Sequence, residues 1–137
     1  MAAISLDVSL ASSKEDVWAL VGDFGALAEW HPMVPNCTLS EDGLTRTISL
    51  PGVSAVEVLD PEASGVWSHT YSVVSSPMPL EAYRATLSVE GTGDRARVKV
   101  HSTFKPVGVP EGAVVAMLEG FFRAGFKQLK IRFGQPE

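Results

Sequence analysis

The last stretch of the chain, Glu111 to Phe133, limits what the rest of it can be. At 3.6 residues per turn, Val114, Leu118, Phe121, Phe122, Gly125, Phe126, Leu129 and Phe133 share one broad face. Glu119, Arg123, Lys127 and Lys130 fall on the other, with Glu119 and Arg123 at the favourable i, i+4 spacing. At about 1.5 Å per residue the helix is roughly 34 Å long, the width of a small domain. So long an apolar stripe needs an equally long partner surface. Gly120 and Gly125 lie in its interior, where each costs about 1 kcal/mol against alanine. A helix keeps such residues where something approaches its backbone closely, either a packed sheet or a ligand lying along it.

The upstream sequence supplies strands. Ile4, Leu6, Val8 and Leu10 alternate with Ser5, Asp7 and Ser9, the mark of a half-buried strand. Ser12-Ser13-Lys14-Glu15-Asp16 offers a capping box for a short helix that carries Val17, Trp18, Leu20 and Val21 and ends at Gly22. Asp23 is placed to cap a second short helix through Trp30, which Pro32 stops. From Cys37 onward the spacing predicts strands near 37–41, 44–50, 53–60, 66–75, 80–90 and 95–105, divided by Glu41-Asp42-Gly43, Pro51-Gly52, Asp60-Pro61-Glu62, Pro77-Met78-Pro79 and Gly91-Thr92-Gly93-Asp94. About the last turn, Tyr83, Ala85, Leu87 and Val89 are expected opposite Ser102, Val100, Val98 and Ala96. Glu90, Ser88 and Thr86 then oppose Arg95, Arg97 and Lys99 on a wet face. His101 falls beside Arg84 on that wet face and is set aside. The order is strand, two helices, six strands, long helix. A twisted antiparallel sheet buries its apolar face by wrapping that helix, an α+β arrangement that tends to leave a space inside.

Composition narrows the function. A chain of 137 residues with 45% hydrophobic and 20% charged residues is expected to form one domain, 1–137, with a substantial core. A net charge of −5 and the lack of any basic cluster argue against a nucleic-acid partner. Met1 to Asp7 alternates and has no basic start, unlike a signal peptide, and no apolar run is long enough to span a bilayer. The expected location is the cytoplasm. Cys37 is the only cysteine, so no internal disulfide forms, and Asn36-Cys37-Thr38 is expected to be inert as a glycosylation pattern. His31, His69 and His101 have no paired metal spacing, and neither a phosphate-binding glycine loop nor a Gly-x-Ser-x-Gly elbow is present.

Three segments carry a resemblance. Phe24-Gly25-Ala26-Leu27-Ala28-Glu29-Trp30-His31-Pro32 resembles the F-x-x-L-x-x-W-H-P segment of bacterial polyketide cyclases/dehydratases. Ser76-Pro77-Met78-Pro79-Leu80 followed by Tyr83-Arg84-Ala85-Thr86-Leu87 resembles their S/G-P-L-P-V…Y-x-A-T-L segment, and Gly120 to Lys130 resembles their final helix. Element order and motifs are together similar to the helix-grip superfamily of START domains, the major birch pollen allergen and these cyclases, known as SRPBCC. The resemblance implies about seven strands curved around the last helix, an internal cavity, and no cofactor. A fainter similarity runs to plant abscisic acid receptors. Leu50-Pro51-Gly52 stands at their gate, Ser75 to Leu80 at their latch, and Pro35 replaces their ligand-pairing lysine. The Tyr-x-Tyr pair usual in the fifth strand of the cyclases reads His69-Thr70-Tyr71 here.

Function in such a container has to be argued from the polar groups inside it. A tight Pro51-Gly52 hairpin sets Leu50 opposite Val53, Ile48 opposite Ala55 and Arg46 opposite Glu57. Arg46 and Glu57 on an apolar face form either a structural bridge or the orienting pair of a ligand site. His31, locked by Pro32, is either structural or an acid–base group at the cavity mouth. His69 and Tyr71 on one face either move protons or serve as core. The candidate catalytic set is therefore His31, Arg46, Glu57, His69 and Tyr71. The candidate ligand wall is Trp30, Ile48, Leu50, Pro77, Tyr83, Met117, Phe121 and Ala124.

Two functions follow from the resemblance. One is a cofactor-independent enzyme of lyase or isomerase type that cyclises, condenses or dehydrates a polyketide-like substrate. The apolar cavity folds the substrate, proton-carrying side chains act on it, and Arg46 steadies an enolate oxygen. The other is a binding module that carries or senses a lipid-like or hormone-like ligand. The expected partner is a hydrophobic small molecule, with no nucleic acid and no membrane span; a homodimer stays open.

Overall fold

The structure, a computed structural model, describes residues 1–136. Strand β1 (Ala2–Leu10) buries Ala2, Ile4, Val8 and Leu10, as its alternation dictates. Ser13 caps α1 (Lys14–Val21), its hydroxyl accepting from the Asp16 N–H at 3.2 Å. The expected Asp23 cap is not made. Asp23 instead accepts from the Gly25 N–H at 3.1 Å and holds a turn ahead of α2 (Leu27–Trp30), a single helical turn that starts after Ala26. Side-chain bonding to the nearby backbone of a turn is the usual alternative use of an aspartate in such a place.

Six strands follow: β2 (Asn36–Leu39), β3 (Thr45–Leu50), β4 (Val53–Gly65), β5 (Ser68–Ser75), β6 (Leu80–Thr92) and β7 (Arg95–Pro106). They form one seven-stranded antiparallel sheet in the order β1-β7-β6-β5-β4-β3-β2. The long helix α3 (Glu111–Phe133) packs chiefly on β1 and is tied to its end. The Ala11 N–H donates to the Gly134 carbonyl at 3.0 Å, and the Ser12 hydroxyl to the Phe133 carbonyl at 2.9 Å. Val114, Leu118, Phe122, Gly125, Phe126 and Leu129 are buried, so the apolar stripe faces the sheet as its periodicity requires. This is the helix-grip arrangement.

Two details depart from the sequence reading. Strand β4 runs on to Gly65 instead of stopping at Asp60, because Asp60 accepts from the N–H groups of Glu62 and Ala63 and makes a bend within the strand. The β6–β7 register is shifted by two residues: Ala85 pairs with Ser102, Leu87 with Val100, Val89 with Val98 and Glu90 with Arg97. The turn is the two residues Gly93-Asp94, with Gly93 at φ 58°, and Thr92 already pairs with Arg95. Side chains alternate with period two, so a shift of two leaves every residue on its expected face.

The start of β6 and the end of β5, which flank the loop between them, are irregular. On β6, Glu81 pairs with Lys105 and Arg84 with Thr103, so Ala82 and Tyr83 together face one residue of β7; Ala82 has φ 54°. On β5, Val56 pairs with Ser75 but Glu57 with Val73, which leaves Val74 out of the ladder. Such bulges bend a strand and re-aim its side chains.

Candidate ligand cavity and its buried charge pair

Between the N-terminal half of α3 and the concave face of β3 to β6 lies an apolar cavity of about 80 Å³. Ile48, Leu50, Ala55 and Glu57 of the β3–β4 hairpin form one wall, and Tyr71, Val73, Leu80 and Tyr83 form the floor. Leu118, Phe121 and Phe122 of α3 form the roof, and Ser76 and Met78 of the β5–β6 loop close the rim. In a regular strand Leu80 and Tyr83, three apart, would point to opposite faces. The bulge at Ala82 lets both face the cavity. An inner lobe of about 30 Å³ continues toward α2, where Trp30, His31, Arg46 and His69 join the lining. A cavity of about 150 Å³ is what admits benzene in an engineered core, so even a one-ring guest fits only if the wall gives way.

Arg46 and Glu57 meet across the β3–β4 ladder in the expected register. The Nε of Arg46 donates to Glu57 Oε1 at 2.8 Å, Nη2 lies 2.6 Å from the same oxygen as an ion-pair contact, and Nη1 donates to the Phe24 carbonyl at 3.1 Å. The guanidinium also stacks 4.0 Å from the Phe24 ring centre and 4.8 Å from that of Tyr71. With Arg46 only 4% and Glu57 9% exposed, the pair is screened little by water. Arg46 turns one edge to Glu57, Nη1 to a backbone carbonyl and its faces to two rings. Glu57 has spent one oxygen, and Oε2 remains on a residue that lines both lobes.

His31 is pinned at both nitrogens. The Met33 N–H donates to Nδ1 at 3.1 Å, which makes Nε2 the protonated atom, and Nε2 donates to the Phe121 carbonyl at 2.7 Å. The ring lies on Phe121 with centroids 4.0 Å apart and an interplanar angle of 23°. Burial lowers its pKa, and the bond to the Phe121 carbonyl opposes that only in part. His31 thus fastens the turn after α2 to the roof helix.

His69 sits among aromatic rings, 5.8 Å from Trp18, 5.6 Å from Phe24 and 5.9 Å from Tyr71. It is 5% exposed and its Nδ1 has no partner. Burial, reinforced by the Arg46 charge, lowers its pKa to about 4, so the ring is neutral near pH 7. Tyr71 and Tyr83 lie 6.4 Å apart, and burial holds both phenols well above their ordinary pKa, protonated and able to donate. The Ser102 hydroxyl bears on Tyr83 but makes no hydrogen bond of ordinary geometry. His101 stays on the outer face, bonded to the Ser5 hydroxyl at 2.8 Å.

Of the expected wall, Trp30, Ile48, Leu50, Tyr83 and Phe121 line the cavity or its inner lobe. Pro77, Met117 and Ala124 do not. Pro77 is exposed at the loop tip while its neighbours Ser76 and Met78 point in. Met117 is 47% exposed, because Leu118, about 100° further round the helix, takes the inward position. Ala124 flanks Gly125, against which Trp30 and His31 pack, and lies off the lining. Sequence reasoning missed Ala55, Val73, Leu80, Leu118 and Phe122 as lining residues and Phe24 as the platform for Arg46. Ala55 was open to inference from its pairing with Ile48; Phe24 gave no signal, since its contact joins segments 22 residues apart.

The sequence pattern of the polyketide cyclase/dehydrase and lipid transport family matches residues 1–134. A solved structure of an uncharacterised protein from Bacillus thuringiensis is 30% identical, covers 96% of this chain and 98% of its own, and superposes with a TM-score of 0.88. The protein XoxI from Bacillus cereus is 31% identical over 97% of this chain and 96% of its own, also at a TM-score of 0.88. The di-domain ARO/CYC BexL of the BE-7585A biosynthetic pathway shares the fold at 18% identity and a TM-score of 0.75, over 95% of this chain and 45% of that one. No curated protein matches the chain. No helix among the described residues is long and apolar enough to cross a membrane.

Proposed function

The chain belongs to the polyketide cyclase/dehydrase and lipid transport family, and from that premise we propose that it binds a hydrophobic small molecule in the cavity under α3 and acts on a polyketide-like substrate without a cofactor. The reaction class is aldol-type cyclisation or dehydration. The observation that carries this reading is Glu57: one carboxylate oxygen is fixed by Arg46, and the residue opens onto an otherwise uncharged cavity.

In this reading Glu57 takes a proton from the carbon between two carbonyl groups. The resulting enolate attacks a second carbonyl carbon of the same chain, forming a carbon–carbon bond, and the new alkoxide receives a proton from the Glu57 carboxyl. Loss of water from that alcohol gives the dehydrated ring. Tyr71, kept protonated by burial, donates to the enolate oxygen, and Arg46 holds the Glu57 carboxylate in place. Ile48, Leu50, Phe121 and Phe122 fold the flexible substrate so that its reacting carbons meet. His31 serves as a strut of the wall. His69, neutral near pH 7, supports the Arg46–Tyr71 floor.

A second reading, carriage or sensing of a lipid-like ligand, is favoured by His31, whose two nitrogens are both engaged with backbone and leave no proton to exchange. Incubation with a synthetic linear poly-β-ketone thioester, followed by mass spectrometry for ring closure and loss of water, decides between them. Turnover by the parent that falls about 10²-fold or more in Glu57→Gln supports the enzyme. Binding with no product from the parent leaves the carrier. Undiminished turnover in Glu57→Gln removes Glu57 from the site.

A further inference from the structure

We infer that the cavity selects uncharged guests that present an O–H group at their buried end, and that it turns away carboxylates. The inference rests on the reading of this cavity as the ligand site and narrows the chemistry of what it takes.

The charges of the wall set that preference. Arg46 is the only cation among the residues lining the two lobes. It does not line the main cavity, where Glu57 is the one charged residue, and its contacts hold it to the protein: Nε and Nη2 face Glu57, Nη1 faces the Phe24 carbonyl, and the rings of Phe24 and Tyr71 lie against the guanidinium. His31 has no free nitrogen, and His69 is enclosed by aromatic rings. A carboxylate in the main cavity would therefore meet no cation of the lining and would stand beside Glu57. In so dry a site that repulsion is large, and desolvation adds to it. A hydroxyl has the opposite fortune. Both Arg46 contacts fall on Glu57 Oε1, so Oε2 accepts an O–H donor from the cavity side without displacing the ion pair. The phenols of Tyr71 and Tyr83 line the same cavity and offer their protons to a neighbouring carbonyl or ether oxygen.

Three probes of similar size separate the terms: phenol, which donates; anisole, which is neutral and cannot; and benzoate, which is charged. Each is titrated into the protein near neutral pH, with amide shifts of Ile48, Glu57, Tyr71 and Phe122 read by NMR. Phenol is expected to bind about ten-fold or more tightly than anisole, the usual worth of a hydrogen bond to a charged group. Benzoate is expected to bind more weakly than either. In Glu57→Gln the phenol-over-anisole preference is expected to shrink to within about two-fold, since a neutral amide is the weaker acceptor. Benzoate binding as tightly as phenol at these residues, or anisole equalling phenol in the parent protein, would overturn the inference while the cavity stands. If none of the three shifts these amides, the cavity reading itself falls. The comparison within the parent protein holds even if Glu57→Gln does not fold.

Discussion

Gly125 is what brings His31 to the helix. A Cβ at residue 125 would lie 2.7 Å from His31 Cδ2 and 2.9 Å from Trp30 Cζ3, closer than carbon atoms pack. Without that methyl group the imidazole reaches the Phe121 carbonyl, four residues earlier in the same helix, at 2.7 Å. The close approach that an interior glycine implies is thus made by the protein's own α2 turn. Gly125→Ala is expected to cost about 1–3 kcal/mol by overpacking. Gly120, whose Cβ would meet nothing within 4 Å, is expected to gain about 1 kcal/mol as alanine. Urea denaturation of the two variants should move in opposite directions.

The ion pair should behave asymmetrically. Arg46→Ala leaves Glu57 buried and unpaired and is expected to cost about 3–5 kcal/mol. The double change Arg46→Met with Glu57→Leu removes both charges and is expected to retain most of the parent's stability, as buried pairs replaced by apolar groups often do. Denaturation midpoints of the single and double variants check this, and equal losses in the two would contradict it.

Stability should decline as acid titrates His69. Its folded pKa of about 4 lies below the ordinary 6.5, so the unfolded chain takes up the proton first as pH falls. The contribution is complete above pH 6.5 and drains away between pH 6.5 and about 4, by about 1.4 kcal/mol per pH unit. His31, whose pKa is also lowered, adds loss of the same sign. His69→Phe keeps the aromatic packing and removes the titrating, unpartnered Nδ1. Its stability is expected to fall less steeply than the parent's between about pH 6.5 and pH 5, measured by urea denaturation at each pH. A slope unchanged by the substitution would show that this ring is not the group responsible.

Filling the cavity should abolish binding without unfolding the protein. Ala55 lines the void from the β3–β4 wall, and Ala55→Leu puts three further carbon atoms into it. Stability is expected to stay level or rise by about 1 kcal/mol as apolar surface is buried, while phenol affinity falls below detection by NMR. Undiminished phenol shifts in a folded Ala55→Leu protein would place the ligand elsewhere.

The architecture was legible where local chemistry leaves one choice. Pro51-Gly52, with Gly52 at φ 75°, allows a single tight turn, and that turn alone brings Arg46 to Glu57. Gly91 to Asp94 offers two turns, and the wider one gave a register displaced by two residues, harmless because faces repeat every second residue. The bulge at Ala82 left no trace in the sequence, since an alanine at positive φ carries none of the glycine or asparagine that marks such a backbone. Leu80 was therefore missed as a lining residue. Met117 was misplaced by one helical step at the edge of a broad apolar face, where periodicity does not separate the inward residue from its neighbour. The role of His31 was open from the sequence because both of its partners are backbone atoms, one of them 90 residues away.

The hairpin that carries Arg46 and Glu57 also tests its own assembly. A slip of one residue in β3 against β4 would turn one charge inward and the other to solvent. The buried survivor would then lack its partner, at a cost comparable to much of a small domain's net stability. A chain that misaligns these strands is therefore driven out of that state before the roof closes over it. The same two side chains that give the cavity its polarity act as a checksum on its construction, so a chain that has closed the roof has already brought Arg46 and Glu57 together across the ladder.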